Sequence, residues 1–539
     1  MIHDFIWRQE RVIDGGGRPA FEADVAVKDG RISRIGSLEG AAGEREFDLK
    51  GLCLTPGFID SHSHADLALL EPSLEHEKLR MGVTAEVIGQ CGFSAFPISD
   101  AHRLARKKSM AGFLPGRDLS WTWNDLDGYR RAALSGGLTH NVVPLAGHGS
   151  VRLAVMGDRP DRPTPAELDR MRRLTDEAMA QGAFGLSSGL IYAPACYAET
   201  DEVLALAQVA AARGGHYVTH VRGETAALID RAVDEAVYIA ETAGAPLQVS
   251  HLKVIGLGGE NAGRIQAVLG RIDAARARGL RVHFDCYPYT EGSTMLNALL
   301  PRWAHEGGEA GLLKVLSSPE GRFKVRRTIE NDSESWENWL KACGYAAVKI
   351  GALPGGRMAP IVGRDLADIA AERGADPLDA LCDVLIREGA GIIMVFSMMR
   401  EEDMKAALAH PAGMIGTDAI PCPPGQGRPH PRGYGAFPRI LGRYARDEGL
   451  FSLEEAVRKM TSLPAAKWGL EDRGLAAEDQ IADLVVFDPD AIIDRATYED
   501  PRQTPEGVVH VMVAGRLALE SGRPTGELAG TFLEPNFSR

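Results

Sequence analysis

Between residues 56 and 435 the chain alternates short apolar runs with longer stretches in which apolar positions recur at helical spacing. The runs predict strands at 58–62, 83–89, 141–146, 184–187, 216–220, 247–251, 282–285 and 414–418. Helices are expected between most of them, at 166–181 behind Thr164-Pro165, 201–213, 225–243 and 262–278. Gly182, Gly214, Gly244 and Gly279 stand where these helices should stop. Such repetition places the chain in the α/β class and predicts a (β/α)8 TIM-type barrel rather than an open sheet. A ninth apolar run, Ile392–Phe396, exceeds the barrel's needs. One of the nine must lie outside, and the pattern does not say which.

Both ends carry strand-like alternation instead. Val25, Val27, Ile32 and Ile35 flank Asp29-Gly30, a dipeptide suited to a tight hairpin. Near the other end, 481–487 is an apolar strand, and 508–513 and 517–519 bracket the turn Ala514-Gly515-Arg516. The expected organisation is one small β-sandwich built from 1–55 and 475–539, with a barrel domain at 56–474. Residues 290–390, which hold Trp303, Trp336 and Trp339, fit the alternation badly. They are expected to form an inserted lid, because long excursions from barrel strands usually cover a site.

Composition narrows the partners. The net charge is −14 and no Lys/Arg run interrupts it, so nucleic acid is not an expected partner. No apolar run reaches membrane-spanning length, and Met1–Ile13 lacks the basic start and apolar core of a signal peptide. The seven cysteines are scattered without a CxxC pair, as in a reduced, cytoplasmic protein. Whether the chain forms a homo-oligomer is left open.

Candidate chemistry sits at the strand ends. In Pro56-Gly57-Phe58-Ile59-Asp60-Ser61-His62-Ser63-His64, two histidines one residue apart point to the same side, where both imidazoles can reach one metal ion. Asp60 and Asp66 add carboxylates nearby. Cys91, His220, His251 and Asp418 each follow another apolar run. Singly, such a histidine is more often a hydrogen-bonded rim residue and such a cysteine an inert thiol. Gathered at the C-terminal mouth of one barrel, thiolate, imidazole and carboxylate match the donor preference of zinc.

These residues lie in stretches that resemble the amidohydrolase superfamily and, within it, the N-acyl-D-amino-acid deacylases (D-aminoacylases). The matching stretches are Gly57–His64, Gly89-Gln90-Cys91-Gly92, Gly147-His148-Gly149, Gly185–Leu190 and Thr219-His220-Val221-Arg222. Ser250-His251-Leu252-Lys253, Asp285–Tyr289, Gly292-Ser293-Thr294, Gly416-Thr417-Asp418 and Pro429-His430-Pro431-Arg432 complete them, in order, over roughly 56–435. Cys91 discriminates within the superfamily. Hydantoinases and dihydroorotases bridge two metals with a carboxylated lysine on the fourth strand, and 182–190 contains no lysine.

The resemblance implies that Cys91, His220 and His251 hold one tight Zn2+, with His62, His64 and Asp418 lining a second, weaker site. It implies a zinc-activated water that attacks the amide, with Asp418 as base and then acid. Lys253, Tyr287, Ser293 and Arg432 match the family's carboxylate clamp, and Tyr192 joins the substrate contacts. His148 either orients a ligand, contacts substrate or is structural. The implied substrate is a small N-acyl-D-amino acid, neutral and often hydrophobic. Arg302 sits where relatives acting on acidic substrates keep an arginine, so an N-acyl-D-glutamate or D-aspartate deacylase is the alternative, as is a cyclic-amide amidohydrolase. Two other classes compete with this reading. Gly185-Leu186-Ser187-Ser188-Gly189 reads as G-x-S-x-G, with Asp418 and His430 following in serine-hydrolase order, but extended chain rather than a helix follows Ser187. A barrel that has lost its chemistry should lack a ligand or the base, and none is missing.

Overall fold

The computed structural model describes residues 2–537 except 75, 259, 260 and 333. Three short strands, β6 (Phe58–Asp60), β7 (Val83–Ile88) and β8 (Asn141–Pro144), pair in parallel. Six more form a second parallel set in the order β17-β13-β12-β11-β10-β9. These are β9 (Ala146–Gly147), β10 (Gly185–Gly189), β11 (His216–His220), β12 (Leu247–Val249), β13 (Val282–Cys286) and β17 (Gly413–Ile415).

Hydrogen bonds join the two sets at both seams. β8 runs into β9 through Leu145, whose N–H donates to Ile88 O at 3.1 Å. At the other seam Ser61 N donates to Ile415 O at 3.1 Å, and Asp418 N to His62 O at 2.7 Å. The parallel strands therefore make a closed circuit. Nearly every residue of these strands is buried, which is why they read as apolar runs rather than alternating ones.

Helices Pro165–Ala180, Thr200–Ala212, Ile229–Ala243 and Arg264–Ala277 alternate with the strands as expected. The first is started by a reciprocal cap: Glu167 N donates to Thr164 Oγ1 at 3.3 Å and Thr164 N to Glu167 Oε2 at 2.8 Å. Its buried residues Met171, Thr175, Ala178 and Met179 fall on one face. Among the described residues no helix is long and apolar enough to cross a membrane.

Both chain ends join one sheet of nine strands. From the first end come β1 (Ile2–Val12), β2 (Phe21–Lys28), β3 (Arg31–Gly36), β4 (Ala42–Asp48) and β5 (Cys53–Pro56). From the other come β18 (Leu484–Phe487), β19 (Val508–Val513), β20 (Arg516–Glu520) and β21 (Arg523–Pro524). The halves meet where β18 pairs antiparallel with β5, Val486 opposite Leu54. The sheet curls until Ile32 N reaches Gln480 O at 2.8 Å, around a core that includes Trp7, Val25, Val27, Leu54, Leu484 and Met512. β5 passes directly into β6 at Gly57, where a Cβ would stand 2.1 Å from Thr84 Oγ1, so only glycine fits. The last segment leaves this sheet and returns to the circuit, with Val142 N donating to Thr531 O and Leu533 N to Val142 O, both at 2.8 Å.

The ninth apolar run is β16 (Ile393–Ser397). It pairs antiparallel with β14 (Glu291–Met295) and β15 (Val348–Ala352) in a separate three-stranded sheet, outside the parallel circuit. Helices Gly308–Ser317, Pro319–Asn331, Leu366–Arg373 and Pro377–Glu388 fill out this excursion.

Candidate metal centre

The strand-end residues converge. Cys91 Sγ lies 3.3 Å from His251 Nε2 and 3.4 Å from His62 Nε2. Ligand atoms of Cys91, His220 and His251 fall within 4.8 Å of one another, as do those of His62, His64 and Cys91 and those of His62, His251 and Asp418. Asp418 Oδ1 is 3.2 Å from His64 Nε2 and 3.4 Å from His62 Nε2. All six side chains are buried.

Backbone strain marks the same positions. Cys91, His251 and Asp418 take left-handed φ values of 53°, 36° and 49°, a conformation costing a non-glycine residue about 1–3 kcal/mol. Fixed partners hold them there: His251 N donates to Asp285 Oδ1 at 2.8 Å, and Asp418 N to His62 O. The Cys91 turn is braced by Ser187, whose hydroxyl donates to Gly89 O and accepts Gly92 N at 3.1 Å. A Cβ at Gly189 would meet Cys91 O at 2.0 Å. The G-x-S-x-G stretch thus supports the cysteine turn. Ser187 is fully buried and does not line the cavity, so the serine-nucleophile reading loses its nucleophile. Asp60 and Asp66 also brace turns: Asp60 accepts Thr417 N at 2.8 Å and His62 N at 3.2 Å, and Asp66 accepts Gly89 N at 3.2 Å.

The electrostatics suit a cation. Burial holds His220 and His251 well below the usual imidazole range, so both rings are neutral and carry a lone pair. Burial and the carboxylates of Asp418 and Asp285 push the Cys91 thiol well up, so the thiolate needs a positive charge beside it. Burial opposes the charge of Asp418, but Arg432, His62 and His251 override it and hold the carboxyl well below its ordinary range. Nε2 of His220, fully buried, has no hydrogen-bond partner. Unpaired imidazole nitrogen, a thiol and a carboxylate within one small volume fit a zinc ion.

The adjoining cavity opens to solvent, and about 470 Å³ there, open solvent included, is free of protein atoms. Its wall includes His64, Cys91, His220, His251 and Asp418 together with Lys253, Tyr287, Ser293 and Tyr192. His62 and Arg432 stand just behind that wall. Arg432 Nη1 is 2.7 Å from Asp418 Oδ2, its Nη2 donates to Ser293 O at 3.0 Å, and its guanidinium lies 4.5 Å from the Tyr287 ring centre. Tyr192 OH bonds Thr294 Oγ1 at 2.9 Å. His148 does not reach the cavity. Its Nε2 sits 2.9 Å from Glu202 Oε1, and Arg152 holds the same carboxylate. Arg302 is exposed in a separate groove with Tyr197 and Trp303.

Two carboxylates escaped the sequence reading. Asp285 Oδ1 is 3.0 Å from His62 Nδ1, and Glu224 Oε1 is 2.8 Å from Lys253 Nζ and 3.1 Å from His251 Nδ1. Asp285 ends an apolar strand and could have been suspected. Glu224 lies in a loop and carries no such signal. Apolar wall residues Phe93, Phe113, Met295, Trp339 and Met398 were missed as well.

The amidohydrolase family pattern matches residues 45–308 and 354–518, the greater part of the chain. The chain belongs to the amidohydrolase family. Within it, the chain is 37% identical over 522 residues to a D-aminoacylase of Alcaligenes xylosoxydans xylosoxydans, covering 97% of this chain and 96% of that one. It is 36% identical over 519 residues to an N-acyl-D-glutamate deacylase of the same organism, covering 95% and 93%. The solved N-acyl-D-glutamate deacylase from Bordetella bronchiseptica, complexed with zinc and a phosphonate that mimics the tetrahedral intermediate, superposes with a TM-score of 0.82 at 33% identity, covering 99% of this chain and 100% of that one. The resemblance drawn from the motifs around Cys91 holds across nearly the whole length.

Proposed function

We propose that this amidohydrolase cleaves the amide bond of N-acyl-D-amino acids, releasing a carboxylate and a free D-amino acid, with zinc as its metal. The observation that carries the reading is the convergence of Cys91, His220 and His251 on one buried point in the wall of a cavity that also presents Asp418 and Lys253. We read the closed circuit of parallel strands as a (β/α)8 barrel, the end sheet as its β-sandwich satellite, and the excursion through β14–β16 as the lid.

Cys91, His220 and His251 would hold the tight ion, with His62, His64 and Asp418 beside it as the weaker second site. Zinc in such a site supplies an acidified water and polarises a carbonyl. Asp418, kept ionised by Arg432, accepts the attacking water's proton and later delivers it to the departing amine nitrogen. His64, within 3.2 Å of Asp418 Oδ1, aims that carboxylate. Lys253 and Tyr287 face the cavity and take the substrate's α-carboxylate, with Ser293 beside them and Arg432 behind. Phe93, Phe113, Met295, Trp339 and Met398 exclude water and offer an apolar wall. His148, bonded to Glu202 away from the cavity, is given a structural role.

Lys253 is the one Lys or Arg among the described residues lining this cavity, and Glu224 already pairs with it. That favours neutral, apolar substrates over N-acyl-D-glutamate or D-aspartate, since no unpaired cation awaits a second carboxylate. The test is a panel of N-acetyl and N-formyl D- and L-amino acids, assayed for free amine after zinc titration. Expected is zinc-dependent release from the D series, with leucine, methionine and phenylalanine derivatives ahead of glutamate and aspartate by tenfold or more. Equal release from L substrates, or activity untouched by zinc removal, overturns the reading.

A further inference from the structure

Ile420 lines two cavities. One is that of the metal centre, and in its neighbour about 840 Å³, open solvent included, is free of protein atoms. The wall of the second cavity is drawn from Leu74, Glu77 and Lys78, from residues between 419 and 424, and from Gly433, Tyr434 and Arg502. Nothing in the proposed reaction uses it.

The two cavities share more than one side chain. Residues 419–424 follow Asp418 directly, and Ala419 O accepts His64 N at 3.0 Å while Ala419 N donates to Thr417 Oγ1 at 3.2 Å. Gly433 and Tyr434 follow Arg432 in the helix Arg432–Arg439, and a Cβ on Gly433 would stand 3.3 Å from Ala419 Cβ. The segments that carry the Asp418–Arg432 ion pair therefore touch one another in the wall of the second cavity.

Charge on that wall is unbalanced. Arg502, partly buried, bonds only neutral acceptors: Nη1 donates to Gly427 O at 2.7 Å, and Nη2 to Pro423 O at 3.1 Å and Cys422 Sγ at 3.3 Å. A guanidinium has five N–H groups, and Nε has no partner. Tyr434, 9% exposed, brings its hydroxyl beside the same guanidinium. The other charged wall residues are matched. Glu77 Oε1 pairs with Arg80 Nη1 at 2.6 Å, and Lys78 Nζ with Glu86 Oε2 at 3.0 Å and with Asp60. Leu74, Ile420, Pro421 and Pro424 supply apolar surface. A cation lacking a counter-charge, set beside apolar surface, calls for an anion with a hydrocarbon chain.

We propose that the second cavity binds a small aliphatic carboxylate, its head on Arg502 and Tyr434 and its chain along Leu74, Ile420 and Pro421, and that occupancy changes kcat by shifting the Asp418 turn. The carboxylate released in the reaction read above is of this class, so occupancy couples turnover to accumulated product. That last link rests on the reading of the reaction, whereas the site itself does not.

The test is calorimetric titration of the zinc-loaded full-length protein with hexanoate, beside hexylamine and leucine as comparators. Arg502→Gln should weaken hexanoate binding about tenfold or more, the worth of a hydrogen bond to a charged group. Leu74→Trp keeps every Arg502 bond and fills the apolar trough, so it should abolish the same binding without loosening residues 422–427. Hexylamine and leucine should bind at least tenfold more weakly than hexanoate. In assays with a cleaved amide, hexanoate should change kcat at saturating substrate, and Leu74→Trp should keep wild-type turnover while losing that response. Equal hexanoate binding in wild type and both variants overturns the site, and equal binding of the amine or the amino acid overturns the carboxylate assignment. Inhibition by hexanoate that excess substrate fully relieves overturns the coupling, since the cavity would then be an arm of the substrate site. If no amide is cleaved, the reading of the reaction fails while the titrations still decide the site.

Discussion

At the scale of single residues, the site is held by carboxylates acting through other groups. Asp418 and Glu224 both line the cavity, but Glu224 is engaged by Lys253, and Asp418 is the one proposed to handle the water's proton. Asp418→Asn removes the proton acceptor while leaving an oxygen for His64, and Cys91, His220 and His251 remain. Turnover should fall at least a hundredfold, in line with general acid–base magnitudes, while zinc content measured by atomic absorption stays at the wild-type level. Unchanged turnover would remove Asp418 from the mechanism. The ligand candidates were readable in the chain because a His, Cys or Asp ending an apolar strand is conspicuous. Glu224 was not, since a carboxylate in a loop looks like any solvated charge until the fold buries it at 1% exposure. Arg432 was matched to a clamp by its motif, yet its pairing with Asp418 at 2.7 Å depends on two segments meeting in space.

At the scale of elements, local chemistry set the boundaries closely. Thr164-Pro165 and Glu167 announce a capped helix start, and the reciprocal bonds are present. Thr164→Ala should cost about 1 kcal/mol locally. Amide hydrogen exchange at Glu167 and Leu168, whose N–H groups bond Thr164, should then quicken about fivefold, with zinc content unaffected. Exchange unchanged at those amides would mean the cap contributes nothing. The apolar run 392–396 shows where local pattern runs out. Its residues Ile393–Phe396 are all buried, like those of the parallel strands, so composition cannot tell a circuit strand from one in a small antiparallel sheet. The excursion from 290 onward was visible only as a failure of alternation, and its own sheet, whose strands end at 295, begin again at 348 and again at 393, left no short-range signal.

At the scale of the whole molecule, the order of pairing matters more than any one element. The chain's two ends meet at β5 and β18, and β5 continues as β6, so the sheet made by the termini is rooted where the His62/His64 strand begins. The alternating ends made strands at both ends legible, and these join one sheet. The return of residues 531–533 to Val142 was not legible, because two hydrogen bonds and Phe532 against Tyr129 are set by tertiary fit. The circuit then brings residues as far apart as 91, 220 and 251 to one point, and the account stands on that meeting. X-ray absorption at the zinc edge of the zinc-loaded protein measures it most directly. One sulfur scatterer at about 2.3 Å beside nitrogen and oxygen neighbours at about 2.0–2.1 Å is the predicted shell, with the sulfur lost in Cys91→Ala. A shell of nitrogen and oxygen alone in the wild-type protein would contradict the account.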